Sequence, residues 1–346
     1  MKKRVLVVDD SAFMRRIITD ILKEDNRFEV IETAKNGKEA LLKIKSLKPD
    51  VITLDVEMPI LNGIETLKEI MSNYKTPVVM LSSLTQDGAE ATMEALELGA
   101  VDFIAKPSSI FEMDSKKEEL LEKIEAATKA TIHKKPTTAV KRRKNNIKTL
   151  KKGEKRFSTL IGIGTSTGGP RALQEIIPFF PADINASIVI VQHMPPGFTK
   201  SLAKRLDSLS EVKVKEAEAD EVLKRGYCYI APGNYHVLIK EKFNELRIEL
   251  NDGKNVSGHK PSVDVLMNSI SHIKKYKTIG AILTGMGSDG TKGIQKVNDN
   301  GGFTVAQDEE SSVIFGMPKA AINSGAIDKI IALNNMAKYL TDKVGV

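Results

Sequence analysis

Short, mostly apolar runs at residues 5–8, 28–34, 51–54, 78–81 and 101–105 alternate with segments of helical length through the first part of the chain. This alternation constrains the fold more than any other feature. A run that is apolar at every position, such as Val5-Leu6-Val7-Val8, suits a strand buried on both faces. Between runs, Met14, Ile17, Ile18 and Ile21 recur at the i, i+3, i+4, i+7 spacing of one helix face. Strands joined through helices pair in parallel with right-handed crossovers. The pattern therefore predicts an α/β domain, a (βα)5 unit with a doubly wound parallel sheet.

In such sheets ligands gather at the carboxyl ends of the strands, and the chemistry-bearing residues fall there. Asp9 and Asp10 follow the first run, Asp55 the third, Ser82 and Ser83 the fourth, and Lys106 the fifth. Three carboxylates brought together repel one another unless a hard cation neutralises them, and Mg²⁺ suits such oxygen ligands. One carboxylate could then attack a phosphoryl group while the metal and a lysine stabilise the transferred charge. Singly, each residue has a plainer reading. Asp9-Asp10-Ser11 can cap a helix starting near Ala12, Asp55 can be a turn residue before Met58-Pro59, and Lys106 a surface charge. All four strand ends carrying the right type in order is much harder to reach by accident.

The set Asp9-Asp10, Asp55 in Asp-Val-Glu-Met-Pro, Asn62-Gly63, Ser82 and Lys106-Pro107 resembles the receiver domain of two-component response regulators. The resemblance implies Asp55 as phosphoacceptor, with Mg²⁺ held by Asp9, Asp10, Asp55 and the backbone carbonyl of Glu57. It implies Lys106 as the contact to the phosphoryl group and Ser82, with Ser83 as its neighbouring alternative, as the hydroxyl that follows phosphorylation. Phe103 is then the aromatic that changes rotamer, or else plain core.

Charge divides the chain. Residues 129–156 hold twelve Lys/Arg and one acid, a balance of +11 out of a total of +7, so the remainder carries −4. That segment lacks an apolar period and reads as a self-repelling linker. The expected organisation is 1–127, a basic linker at 128–156, and a second domain at 157–346. No apolar run approaches the roughly 20 residues that span a bilayer, and the basic start lacks the apolar stretch of a secretory signal. A single cysteine, Cys228, excludes an internal disulfide and fits a reducing compartment, so a cytoplasmic protein is expected.

The second domain opens with residues 159–163 running into Gly164-Thr165-Ser166-Thr167-Gly168-Gly169-Pro170, before a helical pattern of Ala172, Leu173, Ile176 and Ile177. As a dinucleotide loop, Gly162-x-Gly164 lacks its third glycine, because Thr167 stands there, and no acid ends the next strand. As G-x-S-x-G, Gly164, Ser166 and Gly168 all match, in the strand–turn–helix setting that projects a serine hydroxyl toward an oxyanion-binding helix end. An anion-binding loop without covalent chemistry fits the loop equally well.

A serine nucleophile needs a base and an orienter. His193 follows residues 187–191 and precedes Met194-Pro195-Pro196, and Asp289 lies in Gly285-Met286-Gly287-Ser288-Asp289-Gly290 after residues 279–283. Both also read as ordinary loop residues. His236 and His259 are alternative bases and Asp264 and Asp308 alternative orienters, whereas His133 lies in the linker and His272 on a polar stretch. The chain order Ser–His–Asp departs from the α/β-hydrolases.

The runs at 164–169, Gln-His-Met-Pro-Pro at 192–196, Ala-Pro-Gly-Asn-Tyr-His at 231–236, Pro-Ser-Val-Asp-Val-Leu at 261–266 and Gly-Met-Gly-Ser-Asp-Gly at 285–290 resemble the chemotaxis protein-glutamate methylesterase (CheB) family. The resemblance implies an α/β/α, mostly parallel, Rossmann-like catalytic domain. It implies Ser166 as nucleophile, His193 as base, Asp289 as orienter, and the backbone N–H groups of Met286 and Thr167 as the oxyanion hole. The substrates implied are glutamate γ-methyl esters, and glutamines, on methyl-accepting chemotaxis receptors. Mg²⁺ would serve the receiver alone, with no cofactor for ester hydrolysis. The phosphodonor would be a chemotaxis histidine kinase, and contact with receptor arrays would be peripheral. The receiver is expected to cover the catalytic mouth until Asp55 is phosphorylated. Thr165, where the family more often has Ala, Ser288 in place of a frequent Asn, and the long basic linker depart from the pattern. Two other classes compete: a phosphorylation-controlled nucleic-acid-binding regulator using the basic segment, and a nucleotide-binding module at Gly162–Gly169. No helix-turn-helix and no interleaved aromatics support the first, and the broken fingerprint weakens the second.

Overall fold

The computed structural model describes residues 1–106, 110–130 and 157–345. Of the basic segment, residues 131–156, His133 among them, lie outside the described residues, while Lys129 ends a helix. Two compact units, Met1–Lys135 and Pro136–Val346, divide the chain.

The first unit runs β1 (Lys3–Val8), α1 (Ala12–Lys23), β2 (Phe28–Ala34), α2 (Gly37–Leu47), β3 (Val51–Asp55), α3 (Gly63–Asn73), β4 (Val78–Ser82), α4 (Gln86–Leu98), β5 (Asp102–Ala105) and α5 (Ile110–Lys129). The sheet order is β2-β1-β3-β4-β5, parallel throughout. Val5 to Val8 are wholly buried, as two-sided packing requires, while the edge strand β2 is buried only at Phe28 and Ala34. Ser11, Asn36, Asn62 and Thr85 cap α1 to α4 through their side chains, each cap contributing about 1 kcal/mol. Because Ser11 caps α1, Asp9 and Asp10 are left for other work. Strand order reverses between β1 and β3, so Asp9, Asp10 and Asp55 leave the sheet at its switch point.

The second unit holds a seven-stranded sheet of order β14-β13-β12-β6-β7-β9-β8, every pair parallel. Its strands are β6 (Thr159–Thr165), β7 (Ala186–Gln192), β8 (Lys213–Glu216), β9 (Tyr227–Ile230), β12 (Lys277–Ile282), β13 (Phe303–Gln307) and β14 (Lys329–Ile331). Counted from β6, this is the 3-2-1-4-5-6 order of dinucleotide-binding folds, with β8 added at one edge. Helices α6 (Gly169–Ile176), α7 (Phe198–Leu209), α8 (Val263–Ser271), α9 (Thr291–Asp299), α10 (Met317–Asn323) and α11 (Leu333–Val344) complete it. Strands β10 (His236–Lys242) and β11 (Glu245–Asn251) form a separate antiparallel hairpin, a feature the sequence reading did not foresee. No described helix is long and apolar enough to cross a membrane.

The glycines of Gly162-x-Gly164 prove to be packing glycines. A Cβ on Gly162 would lie 2.6 Å from Ile270 Cδ1, and one on Gly164 would lie 2.2 Å from Val263 Cγ1. Helix α8 therefore sits directly on β6, where a dinucleotide fingerprint would need backbone open to a pyrophosphate. The turn itself is made at Gly168, whose φ of +77° favours glycine.

Candidate active site and phosphoacceptor site

Ser166 and His193 are brought together by strand register. Thr165 pairs with Gln192 at the ends of β6 and β7, so each candidate is the first residue beyond a paired strand end. His193 N donates to Thr165 O (3.2 Å), and Ser166 N donates to Thr284 O just past β12 (3.0 Å). The buried Gln192 amide donates through Nε2 to the carbonyls of both Ser166 (2.9 Å) and His193 (3.2 Å), clamping the two loops. Gly285 completes the approach, since a Cβ there would lie 2.9 Å from Ser166 Cβ. The site thus occupies the switch point between β6 and β12.

Asp289 is buried and faces four donors. Oδ2 accepts from His193 Nε2 (2.8 Å) and Val263 N (2.7 Å), and Oδ1 from Ser262 Oγ (2.8 Å) and Asp264 N (3.1 Å). Burial alone raises its pKa, but the hydrogen bond and charge of His193, with donation from Val263 and Ser262, outweigh burial and hold it below the ordinary carboxylate value. The N-terminus of α8 supplies two of these donors and favours negative charge there. An ionised carboxylate accepts only, so Nε2 carries the imidazole proton and Nδ1 presents a lone pair. His193 Nδ1 is buried without a hydrogen-bond partner, and the link to Ser166 Oγ is not made in this structure. Such links are often loose until substrate is bound. The N–H groups of Thr167 and Met286 donate to no acceptor among the described residues, while Thr284 Oγ1 fixes the Thr167 loop by donating to its carbonyl (3.0 Å).

The alternative candidates occupy other places. His236 is buried, with Nε2 against Lys254 O (2.9 Å) and Nδ1 accepting from Ser262 N (3.2 Å), so it locks the entry to α8. Asp264 accepts from Gly293 N (2.7 Å) and Ser257 Oγ (3.1 Å). Asp308 binds the Ser311 backbone N–H, and His272 is exposed at the end of α8. His259 stacks face to face on His193. Sequence reasoning missed the Gln192 clamp and the grip of Ser262 on Asp289. Ser262 stands where an N-cap belongs, yet its hydroxyl makes no capping bond and turns to Asp289 instead.

In the first unit, Lys106 Nζ lies 2.7 Å from Asp55 Oδ1 and 2.9 Å from Asp9 Oδ2. Burial, then the charge of Asp9, pushes the Asp55 pKa up to about 6 against the pull of Lys106. Asp9 is likewise raised, chiefly by burial. Asp9, Asp10 and Asp55 offer oxygens within 4.8 Å of one another, and Asp55 Oδ2 is buried without a hydrogen-bond partner. An all-oxygen, acid-rich set with an orphaned carboxylate oxygen fits a hard divalent cation. Arg15, unnoticed in the sequence, ties down the carbonyls of Asp9 (2.7 Å) and Asp10 (2.9 Å). Glu57 N donates to Asp55 Oδ1 (3.2 Å). The Ser82 hydroxyl donates to Gly88 O on α4 (3.0 Å), while Ser83 Oγ meets Glu57 Oε1 (3.3 Å) and Thr85 Oγ1 (3.0 Å). Phe103 is buried on β5, with Lys123 Nζ 5.1 Å from its ring centroid.

Residues 161–340 match the CheB methylesterase family, and residues 5–118 the response regulator receiver domain. A protein-glutamate methylesterase/protein-glutamine glutaminase of Geobacillus kaustophilus is 47% identical over 346 residues, covering 99% of both chains. The Bacillus subtilis protein of the same name is 46% identical, covering 99% of this chain and 98% of its own. Among solved structures, the catalytic domain of the Thermotoga maritima CheB methylesterase aligns with a TM-score of 0.53 at 46% identity, over 54% of this chain and 98% of that one. With both halves matched in that order and relatives similar from end to end, this chain belongs to the CheB methylesterase family, carrying a response regulator receiver domain ahead of its esterase domain.

Proposed function

We propose that this chain is a phosphorylation-controlled protein-glutamate methylesterase and protein-glutamine glutaminase acting on methyl-accepting chemotaxis receptors. The observation that carries the reading is the register of β6 and β7, which sets Ser166 beside a His193 already bonded to a buried Asp289. Ser166 Oγ attacks the γ-ester carbonyl as its proton passes to His193 Nδ1. The N–H groups of Thr167 and Met286 receive the oxyanion. Methanol leaves with the proton from His193, and water, deprotonated by the same nitrogen, releases glutamate and restores Ser166. A glutamine side chain follows the same route with ammonia as leaving group. Asp289 holds the tautomer and stabilises the imidazolium. The packing of α8 against Gly162 and Gly164 disfavours the nucleotide-binding alternative. The nucleic-acid alternative has no support among the relatives, and residues 131–156 of its basic cluster lie outside those described.

The receiver, proposed to span 1–127 ahead of a linker at 128–156 and the esterase at 157–346, takes a phosphoryl group from a chemotaxis histidine kinase onto Asp55. Asp9, Asp10, Asp55 and the Glu57 carbonyl would hold Mg²⁺, which when bound neutralises the charge of the acids and of the incoming phosphoryl group. Lys106 neutralises the phosphoryl oxygens, Ser82 turns toward them, and Phe103 repacks. Phosphorylation shifts the population toward the active esterase. The test is methanol release from methylated receptor membranes, with and without a small phosphodonor and Mg²⁺, for wild type and Asp55→Asn. Stimulation of wild type alone supports the reading; equal rates for both under phosphodonor sink the regulatory half, and no release at all sinks the whole.

A further inference from the structure

The rings of His193 and His259 stack with centroids 3.8 Å apart and planes inclined by 12°. The His193 side chain is buried, and His259 covers one of its faces from a half-exposed position. Two facing backbone hydrogen bonds of 3.0 Å between Val256 and His259 fix the base of that turn. Three residues later the same segment enters α8, where Ser262, Val263 and Asp264 donate to Asp289. One stretch of chain therefore governs both the face of the imidazole and the carboxylate bonded to its edge.

We infer that His259 is a positioning residue for the base: its ring fixes the plane of His193 so that Nε2 faces Asp289 and Nδ1 faces the nucleophile side. An imidazole is free to turn about its Cβ–Cγ bond unless a face is packed. Rotation out of plane breaks the Asp289 bond and misdirects the lone pair. Stacking needs only an aromatic face, so an uncharged ring at 259 should serve. In the transition state His193 becomes a cation, and a ring beneath it supplies a further attraction. Because Asp289 bonds to Nε2 of His193 and His259 meets only the face of that ring, His259 acts through His193.

This inference rests on the assignment of Ser166 and His193 above, so its test includes that assignment. Full-length wild type, Ser166→Ala, His259→Ala and His259→Phe are compared for kcat and KM of methanol release. Rates of inactivation by phenylmethylsulfonyl fluoride, which read the base acting on the serine without receptor docking, are measured alongside. The unfolding transition of the esterase unit in scanning calorimetry, unchanged from wild type in each preparation, serves as the control for folding. His259→Ala should lower kcat and the inactivation rate about tenfold at unchanged KM, with His259→Phe within about threefold of wild type. Wild-type rates in His259→Ala overturn the inference, as does a His259→Phe no better than the alanine variant. A raised KM with unchanged kcat also overturns it, placing His259 against the substrate. If instead Ser166→Ala keeps its activity, the site assignment itself has failed.

Discussion

Replacing Asp289 with asparagine keeps the shape and removes the charge, and the geometry sets what that costs. Each carboxylate oxygen accepts two hydrogen bonds, so an amide NH₂ at either position confronts two donors. His193 can respond by changing tautomer and Ser262 by rotating its hydroxyl, but a backbone N–H cannot adapt. With NH₂ at the Oδ2 position, Val263 N–H is stranded at the 2.7 Å bond and His193 must carry its proton on Nδ1, which disables it as a base. With NH₂ at the Oδ1 position, Asp264 N–H is stranded at the longer 3.1 Å bond and the tautomer survives. The second orientation is preferred. One stranded buried N–H costs about 1–3 kcal/mol, a fall in Tm of roughly 2–12 °C for a domain of this size. Opposite charges about 4 Å apart near a protein surface attract by about 4 kcal/mol. Losing about 2–4 kcal/mol of that from the imidazolium state slows kcat roughly 30- to 1,000-fold. Methanol release at saturating substrate and scanning calorimetry read the two effects. A kcat within threefold of wild type refutes the electrostatic argument, and an unchanged Tm refutes the stranded donor.

Three further outcomes follow from the same structure. The folded-state pKa of Asp55 is about 6 against an ordinary 3.8, so without Mg²⁺ the folded receiver holds a proton that the unfolded chain has lost. Its stability should fall as pH rises from about 4 to above 6, by at most about 3 kcal/mol; denaturant titrations should show this slope flattened in Asp55→Asn. Gly164→Ala forces a methyl group to within 2.2 Å of Val263 Cγ1, and overpacking of about 1–3 kcal/mol should lower the esterase transition in calorimetry. Gln192→Met keeps the bulk but removes both clamp bonds, so kcat should fall about tenfold or more at constant KM; an unchanged kcat would show that strand register alone suffices.

The receiver was largely legible because its signals are local. Each strand is a compact apolar run, and each functional residue directly follows one. Only β2, half-exposed at the sheet edge, blurred that pattern, and Arg15 escaped because its bonds go to carbonyls. In the second unit Ser166, His193 and Asp289 were legible as strand-end residues, but which imidazole nitrogen meets Asp289 depends on a helix almost a hundred residues beyond Ser166. Gly162 and Gly164 looked like ligand glycines because their true neighbours, Ile270 and Val263, are equally distant in the chain. The β10–β11 hairpin carries its alternation in Val237, Ile239, Leu246 and Ile248, all buried. Its turn residues Phe243 and Asn244 adopt φ of 53° and 61° without the Asn-Gly or Asp-Gly pair that announces such turns. The resemblance to a known family supplied the substrate, which no strand end could.

The central claim is that one serine carries both ester and amide hydrolysis. It is tested most directly by measuring methanol release from methylated receptors and ammonia release from glutamine-bearing receptors, for phosphodonor-treated wild type and Ser166→Ala. Both products should disappear together in the alanine variant while Asp55 is still phosphorylated. Retention of either product at near wild-type rate would contradict it.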